Sequence, residues 1–551
     1  MRFWRMPLEP LNANGNLSPV EATGEGGVYG GSVVQPAVTE VTVSRATQVE
    51  RHGIEIIPDL HREATVYDYA RICWGSANSL STAVLGAFPI MFGLSFYQAV
   101  VATLLGVFLG SILLAPMAIF GPITGTNNPV SSSAHFGVVG RLVGSVLGVI
   151  AAIAFFAISV WASGDAVMGA VQRAFHVRPA SHWLALTYAI FAISVLIICI
   201  YGFRLMLLAN KLSVVTNSLL FTVGLGAFWG AFDSSYAGAG FHWGSAAFWP
   251  PFISAALVVL GNMIAFGAFL GDWTRYLPRN SNKRVLMAAT VISQWLTLLP
   301  FLFGVMTASV IATRAPAFLA SADYTGGLLN VSPTWFLTPL LCLAVLSGIA
   351  TGSASLYGTG LDFSSVLPRL TRPRATLVIG SLACLLVFIG RFYLSLFGAL
   401  STSISLIIVS TTPWMVVMML GYVVRRGYYI PAALQVFNRG QIGGPYWYMR
   451  GWNLPGVAAW FISSSLALMS VNIPGHYVGW LGNLAGGVDV SLLVALILPA
   501  ILYPLFLYLY PDPKAVFGPA GPRFVPAVDR PILPIIDADS ARPLSLDSTS
   551  R

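Results

Sequence analysis

Between Arg71 and Arg141 the chain contains no Asp, Glu, Lys or Arg. A membrane-spanning helix needs ~20 predominantly apolar residues, and this one interval has room for two or three of them. The run opens on a small polar cluster, Trp74-Gly75-Ser76-Ala77-Asn78. Unpaired amides and hydroxyls cost on the order of several kcal/mol each in hydrocarbon. A glycine-containing polar break in such a helix therefore lines a site, unless it is only the frayed start of a helix at the interface. The first alternative points to a membrane transporter.

Composition extends this reading to the whole chain. Hydrophobic residues make up 56% of the 551 and charged residues 9%, against roughly 25% charged in soluble domains. The mean hydropathy is +0.76. The expected class is an all-α polytopic membrane protein embedded in a lipid bilayer. The formal charge of +9 comes from basic residues scattered singly through connections, not from a patch with interleaved aromatics, so no nucleic-acid partner is expected. Neither the cysteines (Cys73, Cys199, Cys342 and Cys384) nor the histidines carry a metal-ligand, nucleophile-elbow or phosphate-loop spacing. An enzyme is not expected, nor a metal or organic cofactor.

About twelve candidate spans meet the length criterion. They centre near Leu85, Leu109, Ala154, Ala192, Val223, Ala265, Leu299, Ala344, Leu382, Ile407, Phe461 and Leu498. The stretch Phe392 to Val424 is long for one untilted helix. Residues 1–70, without sustained periodicity, and the Pro-rich 513–551 are expected as disordered cytoplasmic tails. Between them lie a ten-helix core over 71–425 and two additional helices over 426–512. With the N-terminus inside, most connecting Lys and Arg fall on the inner side, among them Arg141, Arg204, Lys211, Arg275, Lys283 and Arg425. The outer side holds only Arg173, Arg178, Arg314 and Arg391. That asymmetry places both termini in the cytoplasm.

Spans one to five and six to ten permit two halves of opposite topology, each with its first helix interrupted around a ligand. The first span offers Gly75, Ser76 and Asn78 for such a break; the sixth offers Gly261, Asn262 and Gly267 before Asp272. Glycines also serve close packing in ordinary membrane helices.

Five motifs then resemble one family in order. Trp74-Gly75-Ser76-Ala77-Asn78 resembles the Trp-x-Ser-x-Asn opening of the purine-cytosine permeases, in the nucleobase-cation symport family. Gly121-Pro122-Ile123-Thr124-Gly125 with Phe136-Gly137 is similar to its loop before the third helix. Asp272-Trp273-Thr274-Arg275-Tyr276-Leu277-Pro278 resembles the end of its sixth, and Tyr357-Gly358-Thr359-Gly360-Leu361-Asp362-Phe363 the end of its eighth. Arg450-Gly451-Trp452-Asn453 resembles the approach to its eleventh.

The resemblance implies a leucine-transporter-like five-plus-five inverted repeat with two extra helices. It also implies alternating-access symport of a nucleobase or related planar heterocycle with a cation, across the cytoplasmic membrane. It places substrate contacts at Ser76 and Asn78 in helix one, Phe155 and Ser159 in helix three, Phe266 in helix six and Ser355 in helix eight. Two indoles of the family pattern have become phenyl rings and two amides have become hydroxyls. Phenyl still stacks, but Ser lacks the paired donor and acceptor of a carboxamide, so the selectivity is expected to depart from cytosine. For coupling, the sodium-using branch places small hydroxyl residues where this chain has Ser347 and Thr351. The intervening Ile349 and Ala350 supply no side-chain oxygen, which tilts the expectation from Na+ toward H+. Asp165, an acid inside a span, is the candidate proton carrier. Asp272 and Asp362, at helix ends, are read as fixing loops. The rival readings are an uncoupled facilitator and the same fold carrying another small solute such as an amino acid.

Overall fold

The computed structural model describes residues 53–176, 181–366, 372–393, 396–473 and 477–537. Among them, nine helices are long and apolar enough to cross a membrane, and three shorter apolar ones (Leu80–Met91, Pro373–Ile389 and Leu454–Met469) bring the set to twelve. Each coincides with one expected centre. Leu396–Val424, the segment that looked too long, is one helix with Pro413 inside it.

The first span is broken. Its first half, Val66–Ala77, starts at a capping box in which Thr65 Oγ1 accepts the Asp68 N–H and the Asp68 carboxylate accepts the Thr65 N–H. Asn78 and Ser79 leave helical geometry, Ser79 becoming extended at φ −140°, and the helix resumes over Leu80–Met91. The sixth span runs Trp249–Ile264, tightens into a 3-10 turn over Ala265–Gly267 and resumes over Leu270–Thr274. Gly261 and Asn262 lie within its helical part. Gly261 serves packing: a Cβ there would overlap Ile404 of the tenth span.

The remaining core spans are Phe96–Leu114 (second), Leu142–Phe175 (third), Ser181–Tyr201 (fourth), Phe203–Trp229 (fifth), Lys283–Trp295 with Leu298–Arg314 (seventh), Leu337–Val366 (eighth), Arg372–Tyr393 (ninth) and Leu396–Val424 (tenth). Their packing carries the repeat. First on seventh is matched by sixth on second, first on fifth by sixth on tenth, and third on tenth by eighth on fifth. Exchanging the two five-helix halves thus maps these contacts onto one another, with the third and eighth spans packed together at the centre. Leu454–Met469 and Ser491–Leu509 pack against each other and against the tenth.

Both expected tails contribute ordered structure. Ile57 is fully buried, Arg62 is buried with its guanidinium donating to the Ile57 and Pro122 carbonyls, and Ala64 N–H donates to the Tyr276 carbonyl. Residues 53–65 therefore pack as part of the core, and the boundary expected at residue 70 moves back. A short apolar stretch held by long-range contacts has no periodicity to betray it. At the other end Val516 is buried, Pro513 bridges to Val528, and Ile536–Asp537 pairs antiparallel with Gln441–Ile442. Residues 1–52 and 538–551 lie outside the described part.

Candidate functional site

The break in the first span frees backbone carbonyls, and neighbouring side chains take them up. The Thr351 hydroxyl donates to the Ser76 carbonyl at 2.7 Å, Thr82 to Ala77 at 2.6 Å, and the Asn217 amide to Asn78 at 2.8 Å. On the far side of the break, Leu80 N–H donates to Ser347 Oγ at 3.1 Å. Asn78 Nδ2 reaches Ser218 Oγ at 2.8 Å. Ser76, Asn78, Ser347 and Thr351 are thus brought together, although the Ser76 hydroxyl itself turns back to the Ile72 carbonyl at 2.8 Å. Such caps are what allow non-helical backbone at membrane depth.

The two expected rings meet each other. Phe155 and Phe266 have centroids 6.3 Å apart and planes inclined by 35°, and Phe266 also meets Trp273 at 5.8 Å. Ser159 lies one turn along from Phe155; its hydroxyl donates to the Phe156 carbonyl at 2.8 Å. Ser355 likewise donates to the Thr351 carbonyl at 2.9 Å. Each hydroxyl keeps its lone pairs for a ligand but has spent its proton on its own helix.

Asp165 does not join this group. It is half-buried and accepts a hydrogen bond from Tyr188 of the fourth span, and ten helical residues separate it from Phe155, ~15 Å along the axis. The two acids assigned to loops are instead fully buried. Asp362 accepts from Asn127 Nδ2 at 3.0 Å, and its other oxygen, which accepts no hydrogen bond, lies against Gly148 so closely that a Cβ there would overlap it. Asp272 lies against Gly358, one turn before Asp362 on the same helix.

Sequence reading missed Asn217 and Ser218, and read Asn262 only as part of a break in the sixth span. Asn217 and Ser218 brace the break from the fifth span. Asn262, one turn before Phe266, is 3% exposed with an amide nitrogen that finds no acceptor. Isolated amides in apolar helices carry no spacing that would single them out; only the break and the ring pair give them meaning.

Comparison with known proteins agrees with this architecture. Residues 56–495 match the family model described as permease for cytosine/purines, uracil, thiamine, allantoin. The chain is 25% identical over 470 residues to YxlA of Bacillus subtilis (strain 168), a protein named among the purine-cytosine permeases; the match covers 83% of this chain and 95% of that one. Among solved structures, the nucleobase-cation-symport-1 family transporter Mhp1, closed with bromovinylhydantoin bound, superposes with a TM-score of 0.65 at 18% identity. It covers 85% of this chain and 97% of Mhp1. The inward-facing conformation of Mhp1 gives 0.61 at 19% identity, over 87% of this chain and 100% of that one. These matches and the twelve-helix fold make the chain a membrane permease, not an enzyme. It belongs to the family of permeases for cytosine and purines, uracil, thiamine and allantoin.

Proposed function

We propose that this permease is a proton-coupled symporter of a planar, nucleobase-like heterocycle, working by alternating access in the cytoplasmic membrane with both termini inside. The observation that carries the reading is the Phe155–Phe266 pair. It joins two different spans, the third and the sixth. A flat ring held between two others needs two contacts of ~3.5 Å each, so a displacement of under ~1 Å admits one. In this reading Ser76, Asn78, Ser159 and Ser355 supply polar contacts, and the Asn262 nitrogen, one turn before Phe266 and without an acceptor, supplies a donor that replaces part of what the Asn-to-Ser departures remove.

Proton coupling is supported by a buried acid. Asp362 holds the proton in this reading: it is buried beside a second carboxylate, and two such groups do not both ionise. Seven residues, two helical turns, separate Ser355 from Asp362 and Phe155 from Gly148, so the acid lies ~10 Å below the substrate on the same helix faces. Asp165, tied to Tyr188, anchors the third span to the fourth. An amino-acid cargo is disfavoured because the Leu80 N–H that would meet its carboxylate is taken.

The test is initial-rate uptake into proteoliposomes of labelled cytosine, adenine, hypoxanthine, uracil and a hydantoin under a proton gradient, a sodium gradient, or neither. Accumulation of one of them under the proton gradient alone is expected. Equal uptake under all three conditions would make the protein a facilitator, and no uptake of any member would remove the cargo class.

A further inference from the structure

Three oxygens from three different elements converge on the Asn217 amide nitrogen, which is fully buried on the fifth span. Nδ2 lies 2.7 Å from Ser213 Oγ, 2.8 Å from the Asn78 carbonyl oxygen and 3.3 Å from Ser347 Oγ. The first belongs to the preceding turn of the same helix, the second to the break in the first span, the third to the eighth span. A carboxamide nitrogen has two hydrogens and cannot serve three acceptors at once. Meanwhile the Oδ1 of the same amide is buried and accepts no hydrogen bond, and the Asn78 Oδ1 is in the same state. A buried acceptor left unmade costs about 1–3 kcal/mol. The amide is therefore turned nitrogen-inward at the expense of its own oxygen, because the opposite flip would set a fourth oxygen among the three. Hydroxyl and carbonyl oxygens grouped around one point of positive charge are the ligand set of a small hard cation.

We infer that the Asn217 nitrogen is a built-in substitute for a monovalent cation at this three-oxygen site, and that its identity is what frees the helix break from needing an ion. Asn217 acts here as a positioning residue. It ties the break to the eighth span as a bound ion would, but permanently. The inference deepens the proton-coupled reading and rests on it for its consequence in transport; the site itself is tested without any substrate.

Asn217→Asp keeps the shape, replaces the donor by an acceptor and adds a negative charge, leaving four oxygens that only a cation can reconcile. Purified full-length wild type and N217D are melted in sodium chloride and in choline chloride at equal ionic strength. Wild type is expected to melt at one temperature in both. N217D is expected to melt lower in choline and to recover by at least roughly 4 °C in sodium. Adding Ser347→Ala to N217D removes one ligand and should abolish most of that recovery. Sodium-specific stabilisation of the wild type overturns the inference, as does an N217D protein indifferent to sodium. If N217D folds in neither salt, Asn217→Gly, which empties the position without adding charge, must gain stability from sodium over choline, and its indifference is equally fatal. Failure of heterocycle uptake alongside an intact N217D sodium response would dismiss the proposed cargo and leave this site standing.

Discussion

The Thr351 hydroxyl donates to the Ser76 carbonyl at 2.7 Å, linking the middle of the eighth span to the last turn before the break in the first. Both residues are buried, so no water stands ready to replace that bond. Thr351→Val keeps the volume and deletes the donor, leaving a buried carbonyl unserved at about 1–3 kcal/mol. Thr351→Ser should restore most of the loss. Thermal unfolding of the two variants in one detergent decides it, and equal melting temperatures for Val and Thr would mean that the bond does not hold the break.

The ring pair makes a different prediction. Stacking contributes about 0.5–1.5 kcal/mol beyond the area that a ring buries. Phe266→Leu should therefore raise the half-saturation constant for a heterocycle roughly tenfold while leaving the maximal rate within about a factor of two. Phe155→Leu should behave alike. A fall in maximal rate with unchanged half-saturation would assign these rings to helix packing instead of ligand contact.

Much of this architecture is legible in the chain because hydropathy is a local property. A run free of charge from Arg71 to Arg141 needs no partner to be read, and each expected span centre lies in a helix. The break at Asn78–Ser79 follows the Trp74-to-Asn78 motif that flags it. What the sequence hides is long-range. Asp362 stands in a polar-looking helix end, and only the packing of Gly148 and Gly358 around two carboxylates reveals a buried pair. Asn217 is a single amide in an apolar helix, meaningful only once three oxygens surround it. Residues 513–537 have a disordered composition, yet the segment is held by a fully buried arginine far back in the chain.

That arginine is Arg425, whose Nη2 meets Asp512 at 2.6 Å while Nη1 reaches His135 Nδ1 at 2.8 Å and the Tyr503 hydroxyl at 3.2 Å. Asn453 Nδ2 completes the carboxylate at 3.0 Å. The cluster binds the end of the tenth span to the loop before the third, to the approach to the eleventh, and to the chain beyond the twelfth. Removing one partner of a buried pair strands the other charge, at about 3–5 kcal/mol. Asp512→Ala is therefore expected to lower stability by that order, and the double variant with Arg425→Met to recover a large part of it. Urea or thermal unfolding of the three proteins measures this, and a double variant no better than the single would show that the charge is not the cost.

Asp362 lies against Gly148 and Asp272 against Gly358, and both acids are fully buried. Two neighbouring buried carboxylates do not both ionise. Asp362→Asn fixes the neutral form of one of them. The variant should lose proton-driven accumulation yet retain exchange of internal for external substrate, since exchange needs the alternating motion but no net release of a proton. Accumulation that survives the substitution would mean that the proton has to be sought at Asp272 or Asp165.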